Sequence, residues 1–190
     1  MGNRFIFSDP HFGHDGIYRM VDIDGRRIRG WAETAQEGDE IMVAAWNRVV
    51  HRKDKVIVMG DVAIKRSALQ ILGRLNGDKV LVRGNHDIFK LKDYLPWFSD
   101  ILGTHKRGPV LLSHYPVHPD SIPAWCIGNI HGHTHVNHVL RTSAQGIIEP
   151  DPRYLNACVE VRGVVPVPFE TLVSELQARH ALVQEANDAA

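Results

Sequence analysis

The chain has 190 residues, 44% of them hydrophobic, which is enough for one well-buried domain and short for two. Its 22 basic residues balance its 22 acidic residues, so no net charge draws it to nucleic acid or a membrane surface. Cys126 and Cys158 form no C-x-x-C pair and are typical of small buried side chains in a reducing compartment. No apolar run is long enough for a signal peptide or a membrane span. We therefore expect one cytoplasmic domain over residues 1–190.

Strand-length apolar runs alternate with helical patterns along the chain. The runs are aliphatic, as in strands covered on both faces, and comprise residues 5–7, 56–59, 80–82, 110–112 and 127–130. Residues 40–50 place apolar side chains on one helical face, and Ser67 is a candidate cap for a second helix. A third helix is expected over 169–185, with Val183 on its inner face. This alternation predicts an α/β domain.

The remaining segments predict a loop and a second sheet. Residues 139–142 and 154–161 have strand character, and the second run places alternate apolar residues on one face. The polar stretch 16–34 contains the turn signal Asp24-Gly25 and is expected to be a surface hairpin or loop. Its four arginines either recognise an anionic substrate or form an ordinary solvated face: Arg19, Arg26, Arg27 and Arg29.

Metal-compatible side chains follow each of the five apolar runs on its carboxyl side. They are Asp9 and His11, then Asp61, then Asn85, then His114, and finally His133 and His135. Because ligands gather at the carboxyl ends of strands in open α/β sheets, these side chains are expected to converge. Oxygen and nitrogen donors without thiolate suit Mn, Fe, Zn, Co or Ni. Seven ligands are too many for one ion and suit two ions that share a carboxylate.

The segment 129–135 reads NIHGHTH and is the densest histidine cluster in a chain with 12 histidines. Its spacing alone leaves three interpretations open, namely a solvated turn, a pH switch or a metal site. The glycines beside the candidate ligands, Gly60, Gly84 and Gly132, would let the backbone turn sharply and approach a metal closely.

Taken in order, these motifs resemble the five-motif signature of calcineurin-like metallophosphoesterases. The matching elements are Asp9-x-His11, Gly60-Asp61, Gly84-Asn85-His86-Asp87, His114 and Gly132-His133-x-His135. The opening SDPHFGH and the helix with Trp46-Asn47 further resemble a small bacterial and phage-type branch. The resemblance implies a four-layer α/β/β/α sandwich with a dinuclear metal site at the strand ends.

The family pattern also implies which residues hold each ion and how the site acts. Asp9, His11, Asp61 and His135 would hold one ion, and Asp61, Asn85, His114 and His133 the other, with manganese the favoured metal. A hydroxide between the two ions would attack the phosphate ester. His86 would act as the general acid for the leaving group. Asp87 either orients His86 or caps a helix, and His14 either contacts phosphate or is a surface imidazole.

The resulting hypothesis is a phosphoesterase for small phosphate esters, with phosphodiesters favoured. Val62 after Asp61, and Asp87 in place of Glu, depart from the protein phosphatase branch. A phosphomonoesterase or phosphoprotein phosphatase of the same fold stays as an alternative, and so does a non-catalytic metal-bound scaffold that binds a partner. Nucleic acid is not a favoured substrate because the chain lacks a long basic face. The sequence leaves the oligomeric state open.

Overall fold

The structure, a computed structural model, describes residues 2–143 and 145–188, with side chains up to residue 182. The strands are β1 (Arg4–Phe7), β2 (Lys55–Val58), β3 (Asp78–Val82), β4 (Asp100–Leu102), β5 (Thr104–Arg107), β6 (Val110–Ser113), β7 (Gly128–His131), β8 (Leu140–Thr142), β9 (Ile148–Pro150), β10 (Tyr154–Asn156) and β11 (Val167–Pro168). The α-helices are α1 (Ala35–Val49), α2 (Leu91–Tyr94), α3 (Val159–Arg162) and α4 (Phe169–Asp188). Short 3-10 segments cover Asp15–Arg19, Arg66–Arg74 and Pro119–Ser121.

The strands form two larger sheets and one hairpin. The first sheet has the order β11-β1-β2-β3-β4, in which β11 is antiparallel and the others are parallel. The second has the order β10-β7-β6-β5, in which only β5 is antiparallel. The hairpin consists of β8 and β9. Strands β1, β2 and β3 run in one direction, and β6 and β7 are parallel to each other. The loops after these strands therefore gather at the carboxyl ends of the strands in each sheet.

The hydrophobic core has two parts, one on each face of the first sheet. Phe7 of β1 packs with Trp46 of α1 on one face, in a cluster that also includes the 3-10 segment Arg66–Arg74. Ile6 points to the other face, where residues of both sheets meet Leu172 and Leu176 of α4. Successive side chains of a strand alternate between faces, so β1 is buried on both sides, as its aliphatic sequence predicts.

The mixed α/β class is confirmed, and the five predicted strands are present with small shifts at their ends. Helix α1 begins at Ala35, before the predicted residue 40, because the Thr34 side chain caps it by accepting a hydrogen bond from the backbone N–H of Glu37 at 3.2 Å. The second predicted helix, with Ser67 as its expected cap, is a 3-10 helix rather than an α-helix, and it begins at Arg66. Val183 lies outside the described side chains.

The predicted strand 154–161 is wrong in its second half. Strand β10 ends at Asn156, whose side-chain oxygen accepts a hydrogen bond from the backbone N–H of Cys158 at 2.8 Å. Asparagine favours such local turns because its side chain replaces a backbone hydrogen bond. Helix α3 begins at Val159 immediately after the turn. The surface hairpin or loop expected for 16–34 is present in part: an isolated bridge joins Val21 to Arg27, but Tyr18 and Arg29 of the same segment are buried.

Two further expectations concern the cysteines and the membrane. Cys126 and Cys158 are both free thiols; Cys158 is buried, as the sequence predicts, but Cys126 is only partly buried. In the part of the chain that the structure describes, none of the helices has the length and apolar character required to cross a membrane.

Candidate metal centre

The loops that follow β1, β2, β6 and β7 bring six of the predicted ligands into two groups. In the first group, one donor atom each from Asp9, His11 and His135 lies within 4.8 Å of the others. The second group has the same property and consists of Asp61, His114 and His133. The seventh predicted ligand, Asn85, joins the second group, since its Oδ1 lies 2.9 Å from Nε2 of His114. The NIHGHTH segment thus supplies His133 to one group and His135 to the other.

The backbone is in an unusual conformation at five of these ligands. Within residues 2–143 and 145–188, the non-glycine residues with a positive φ are Asp9 (57°), His11 (51°), Asp61 (52°), His133 (69°) and His135 (48°). The left-handed region is unfavourable for residues with a Cβ, by about 1–3 kcal/mol each. Such strain clusters at functional sites, where the surrounding structure has to hold it. The strained positions coincide with five of the predicted ligands, which makes this region the candidate functional site.

The three glycines beside the ligands lie where there is no space for a Cβ. A Cβ on Gly132 would overlap the side-chain oxygens of Ser8 and Asp9, and a Cβ on Gly84 would overlap Asp61 Oδ1. Gly60 has a φ of 92°, and a Cβ there would come within 2.5 Å of His114 Nδ1. These positions therefore accept only glycine while the ligand side chains keep their places.

In the first group, the ring of His11 lacks the partners that buried polar atoms normally have. Both ring nitrogens of His11 are buried, and neither has a hydrogen-bond partner among the described residues. Burial, aided by the charge of Arg29, lowers the pKa of His11 to about 2, so the ring is neutral and offers a lone pair. Burial raises the pKa of Asp9, although its carboxylate accepts hydrogen bonds from Ser8 Oγ and from the backbone N–H of His133. A bound cation would give His11 a partner and offset the cost of burying the Asp9 charge, so this group fits a metal.

Asp61 lies between the two groups. One carboxylate oxygen, Oδ2, is 3.6 Å from Nε2 of His11 in the first group and 3.4 Å from Nε2 of His114 in the second. The other oxygen, Oδ1, accepts a hydrogen bond from the backbone N–H of His86 at 2.8 Å. Burial alone would raise the pKa of Asp61, but hydrogen bonds from His114 and from this N–H outweigh it, and the pKa is lowered. Asp61 therefore has the position and charge of a ligand that both groups share.

The second group also presents two acceptors to the same point in space. His114 Nδ1 lies 2.8 Å from the carbonyl oxygen of Met59, to which an Nδ1–H donates. Without metal, a proton on Nε2 serves the hydrogen bond to Asp61; once that proton is lost, the neutral ring presents a lone pair on Nε2, which faces Oδ1 of Asn85. Two acceptors at this distance need a shared cation or a proton between them. The donor set therefore fits a metal ion in this group as well.

His86 and His14 lie at the edge of the first group. His86 is exposed, and its ring centroid lies 5.4 Å from that of His11. His14 is half-buried, with its ring centroid 5.7 Å from His11. Its Nδ1 accepts the backbone N–H of Ile17 at 3.0 Å and so caps the 3-10 segment, which leaves Nε2 as the free atom of the ring.

The sequence predicted that Asp87 either orients His86 or caps a helix, but its carboxylate is bound to backbone N–H groups of two loops. Its buried carboxylate accepts hydrogen bonds from the backbone N–H groups of Asp61 (2.9 Å), Val62 (2.9 Å) and Gly84 (2.8 Å). It thus holds the loops after β2 and β3 together. Helix α2 begins at Leu91 with Lys90 as its cap, so Asp87 does not cap that helix.

Sequence reasoning missed two charged residues behind the site. Arg29, expected on a solvated face or at a substrate, is fully buried. Glu160, expected in a strand, is the second residue of α3 and has a buried side chain. The apolar neighbours of Arg29, Ile28 and Trp31, are the signal in the sequence that its segment is not fully solvated.

The fold and the site together define a mixed α/β protein with two adjoining groups of candidate metal ligands. No family model matches the chain. It is 28% identical over 192 residues to an uncharacterized protein of Methanocaldococcus jannaschii, covering 99% of this chain and 98% of that protein. It is 29% identical over 178 residues to the gene 66 protein of Mycobacterium phage L5, covering 74% of this chain and 81% of that protein.

Among solved structures, the chain is similar to a protein of unknown function from Aquifex aeolicus. The TM-score is 0.61 at 22% sequence identity, and the match covers 92% of this chain and 99% of that one. This likeness supports the fold alone. A likeness to phosphopantetheinyl hydrolase of Mycobacterium tuberculosis has a TM-score of 0.37 at 13% identity and is too remote to bear on activity.

Proposed function

We propose that this protein is a metal-dependent phosphoesterase with a dinuclear centre, in the calcineurin-like family and with its four-layer sandwich. The observation that carries the proposal is the left-handed backbone at Asp9, His11, Asp61, His133 and His135. Strain at five converging ligand residues would be a poor feature of a protein that used them only for stability. The two ligand groups on either side of Asp61 support a pair of ions rather than a single one.

The residues present fit two divalent transition-metal ions, with manganese favoured and Fe, Zn, Co or Ni compatible with the same donors. Asp9, His11, Asp61 and His135 would hold one ion, and Asp61, Asn85, His114 and His133 the other. When bound, such ions supply positive charge for phosphoryl oxygens and lower the pKa of a water molecule toward neutrality.

The chain's own residues then have distinct tasks. His86 is exposed beside the ligands and belongs to neither group, so its ring is free to donate a proton to the leaving oxygen. His14 offers its Nε2 to a phosphate oxygen at the same edge. Asp87 keeps the loops of Asp61 and Asn85 in register through three backbone hydrogen bonds. The favoured substrate is a small phosphodiester, because the balanced net charge gives little affinity for a long polyanion.

The test is to load metal-free protein with manganese, count the bound ions by elemental analysis and follow hydrolysis of bis-p-nitrophenyl phosphate. We expect two ions per chain and hydrolysis that disappears with a chelator and returns with manganese. At most one ion at saturating metal would contradict the dinuclear centre. Two ions without hydrolysis of either a diester or a monoester would favour the non-catalytic scaffold.

A further inference from the structure

Arg29 and Glu160 form an ion pair directly behind the first ligand group. The side chains of both residues are fully buried, and Nε of Arg29 donates to Oε1 of Glu160 at 2.7 Å. The two residues are 131 positions apart in the sequence, so the contact joins the 16–34 segment to α3. Burying two charges is costly unless their hydrogen bonds are well made, and so the other bonds of this pair are informative.

Arg29 holds the backbone that carries Asp9 and His11. Its Nη2 donates to the carbonyl oxygen of Asp9 at 2.5 Å, and its Nη1 donates to the carbonyl oxygen of Pro10 at 2.8 Å. These carbonyls belong to the turn between two residues with left-handed backbone. A planar guanidinium with several fixed N–H groups can bind both carbonyls at once, which a lysine ammonium does less well.

Glu160 holds the third ligand of the same group. Nδ1 of His135 lies 3.0 Å from Oε1 of Glu160, so the Nδ1–H donates to the carboxylate. This contact fixes the orientation of the ring and leaves Nε2 as its ligand atom. Oε2 of Glu160 has no hydrogen-bond partner among the described residues, so Oε1 alone joins the arginine to the histidine.

We infer that the Arg29–Glu160 ion pair positions all three ligands of the first group and so sets the metal affinity of that group in particular. The inference rests on the proposed dinuclear site, but it concerns metal binding rather than hydrolysis. The contacts described for the second group are different, since His114 is held by Met59 and Asp61 by His86 and Asp87. Loss of the ion pair should therefore weaken one ion and spare the other.

The experiment measures manganese binding by isothermal titration calorimetry to metal-free wild type, Glu160→Gln and Arg29→Lys. We expect one ion to keep its wild-type affinity in each variant and the other to bind about 10- to 100-fold more weakly. The control is Arg179→Lys, because Arg179 likewise bonds a carbonyl, that of Tyr154, and a glutamate, Glu175, but makes no hydrogen bond to a ligand loop within the described residues. This control should bind both ions as wild type does, even where its melting temperature falls.

A double-variant cycle identifies the affected ion. If Glu160 acts through the first group, adding Glu160→Gln to His135→Ala should leave the affinity of the second ion unchanged. Two ions bound normally in both variants would overturn the inference while leaving the proposed function intact. Equal weakening of both ions would show a general structural effect and would also overturn it. Two normally bound ions in wild type without hydrolysis would reject the proposed function alone, and fewer than two would reject both.

Discussion

The two ligand groups differ in how they are held and in how they meet solvent. The first group lies against a buried ion pair, whereas burial of the three clustered ligands is alike in both groups, with two buried and one half-buried in each. The second group differs in adding Asn85, which is exposed, and its Asp61 accepts the backbone N–H of the exposed His86. Tyr115, half-exposed, adds an aromatic ring 4.4 Å from that of His133.

This difference suggests a division of labour within one site. Ligands braced from behind by backbone and ion-pair contacts are suited to holding an ion in fixed geometry. Ligands at an open edge are suited to a position where substrate enters and a proton leaves. Asp61, between the groups, couples the two halves.

The largest effect is expected where the two groups join. Asp61→Ala removes the carboxylate near both His11 and His114, so we predict that affinity falls for both ions together. Hydrolysis should fall by more than the roughly 10²–10⁴-fold that a general acid contributes. Elemental analysis and steady-state kinetics at saturating manganese provide the measurement. Loss of one ion with the other bound as in wild type would show that Asp61 belongs to one group only.

A second effect should appear at the open edge alone. His86→Asn should keep both ions, since the His86 contact with Asp61 is made by the backbone N–H. We predict a fall in kcat of about 10²–10⁴ on an alkyl phosphodiester, whose leaving alkoxide needs a proton. The fall should be much smaller on a p-nitrophenyl ester, whose leaving group is stable as an anion.

The two leaving groups serve as each other's control, because both substrates use the same metal centre. Equal losses on the two esters would indicate that His86 stabilises charge on the phosphoryl group rather than donating a proton. Loss of bound metal in His86→Asn would place His86 among the ligands, contrary to its proposed role. The effect should be visible in kcat more than in KM if it is confined to the transition state.

The ligands of both groups were easier to predict from the sequence than the ion pair that supports the first group. The ligands follow strands, and parallel strands bring their carboxyl ends together, so Asp9 and Asp61 could be expected to meet. Local pattern also indicated the need for glycine at residue 132. The convergence of the ligands thus followed from strand order and local motifs.

The buried support could not be predicted because it depends on long-range packing of charged residues. Arg29 lies in a run of arginines that normally faces water, and nothing near it in sequence indicates Glu160. The strand pattern at 154–161 hid the turn made by Asn156, which places Glu160 behind His135. The alternating apolar residues of 154–161 predicted a continuous strand, although Asn156 within it is a turn-forming residue.

A moderate effect is expected in the choice of substrate at the open edge. With manganese, bis-p-nitrophenyl phosphate should be hydrolysed with a kcat/KM about tenfold above that of p-nitrophenyl phosphate, or about 1.4 kcal/mol in transition-state free energy. The reason is the departure from the protein phosphatase pattern at Val62 and Asp87. Both esters release the same chromophore, so one assay compares them directly. The reverse order by a similar factor would favour a phosphomonoesterase.

The smallest effect is expected for Asp39, whose carboxyl lies near the first ligand group but is not one of the proposed metal ligands. The Asp39 carboxylate accepts the backbone N–H of Gly13 at 3.1 Å, and burial raises its pKa to about 6. Between pH 4 and 6 the folded protein keeps a proton that the unfolded chain loses, so this carboxyl lowers the free energy of unfolding as pH rises. Asp39→Asn should therefore stabilise the protein at pH 7.5, by about 1 kcal/mol after allowance for solvent screening.

The matched control is Asp54→Asn, for which the sign should be opposite. Hydrogen bonds from the backbone N–H groups of His51 (2.8 Å) and Asn3 (2.7 Å) lower the pKa of Asp54. That carboxylate contributes its stability in full above its unfolded pKa of 3.8, so at pH 4.5 and at pH 7.5 alike the asparagine variant should be less stable than wild type, by nearly the same amount. Urea unfolding of the metal-free proteins at the two pH values measures both differences. If Asp39→Asn gave the same change at pH 4.5 as at pH 7.5, the raised pKa of Asp39 would be wrong, and its effect would come from packing beside Gly13.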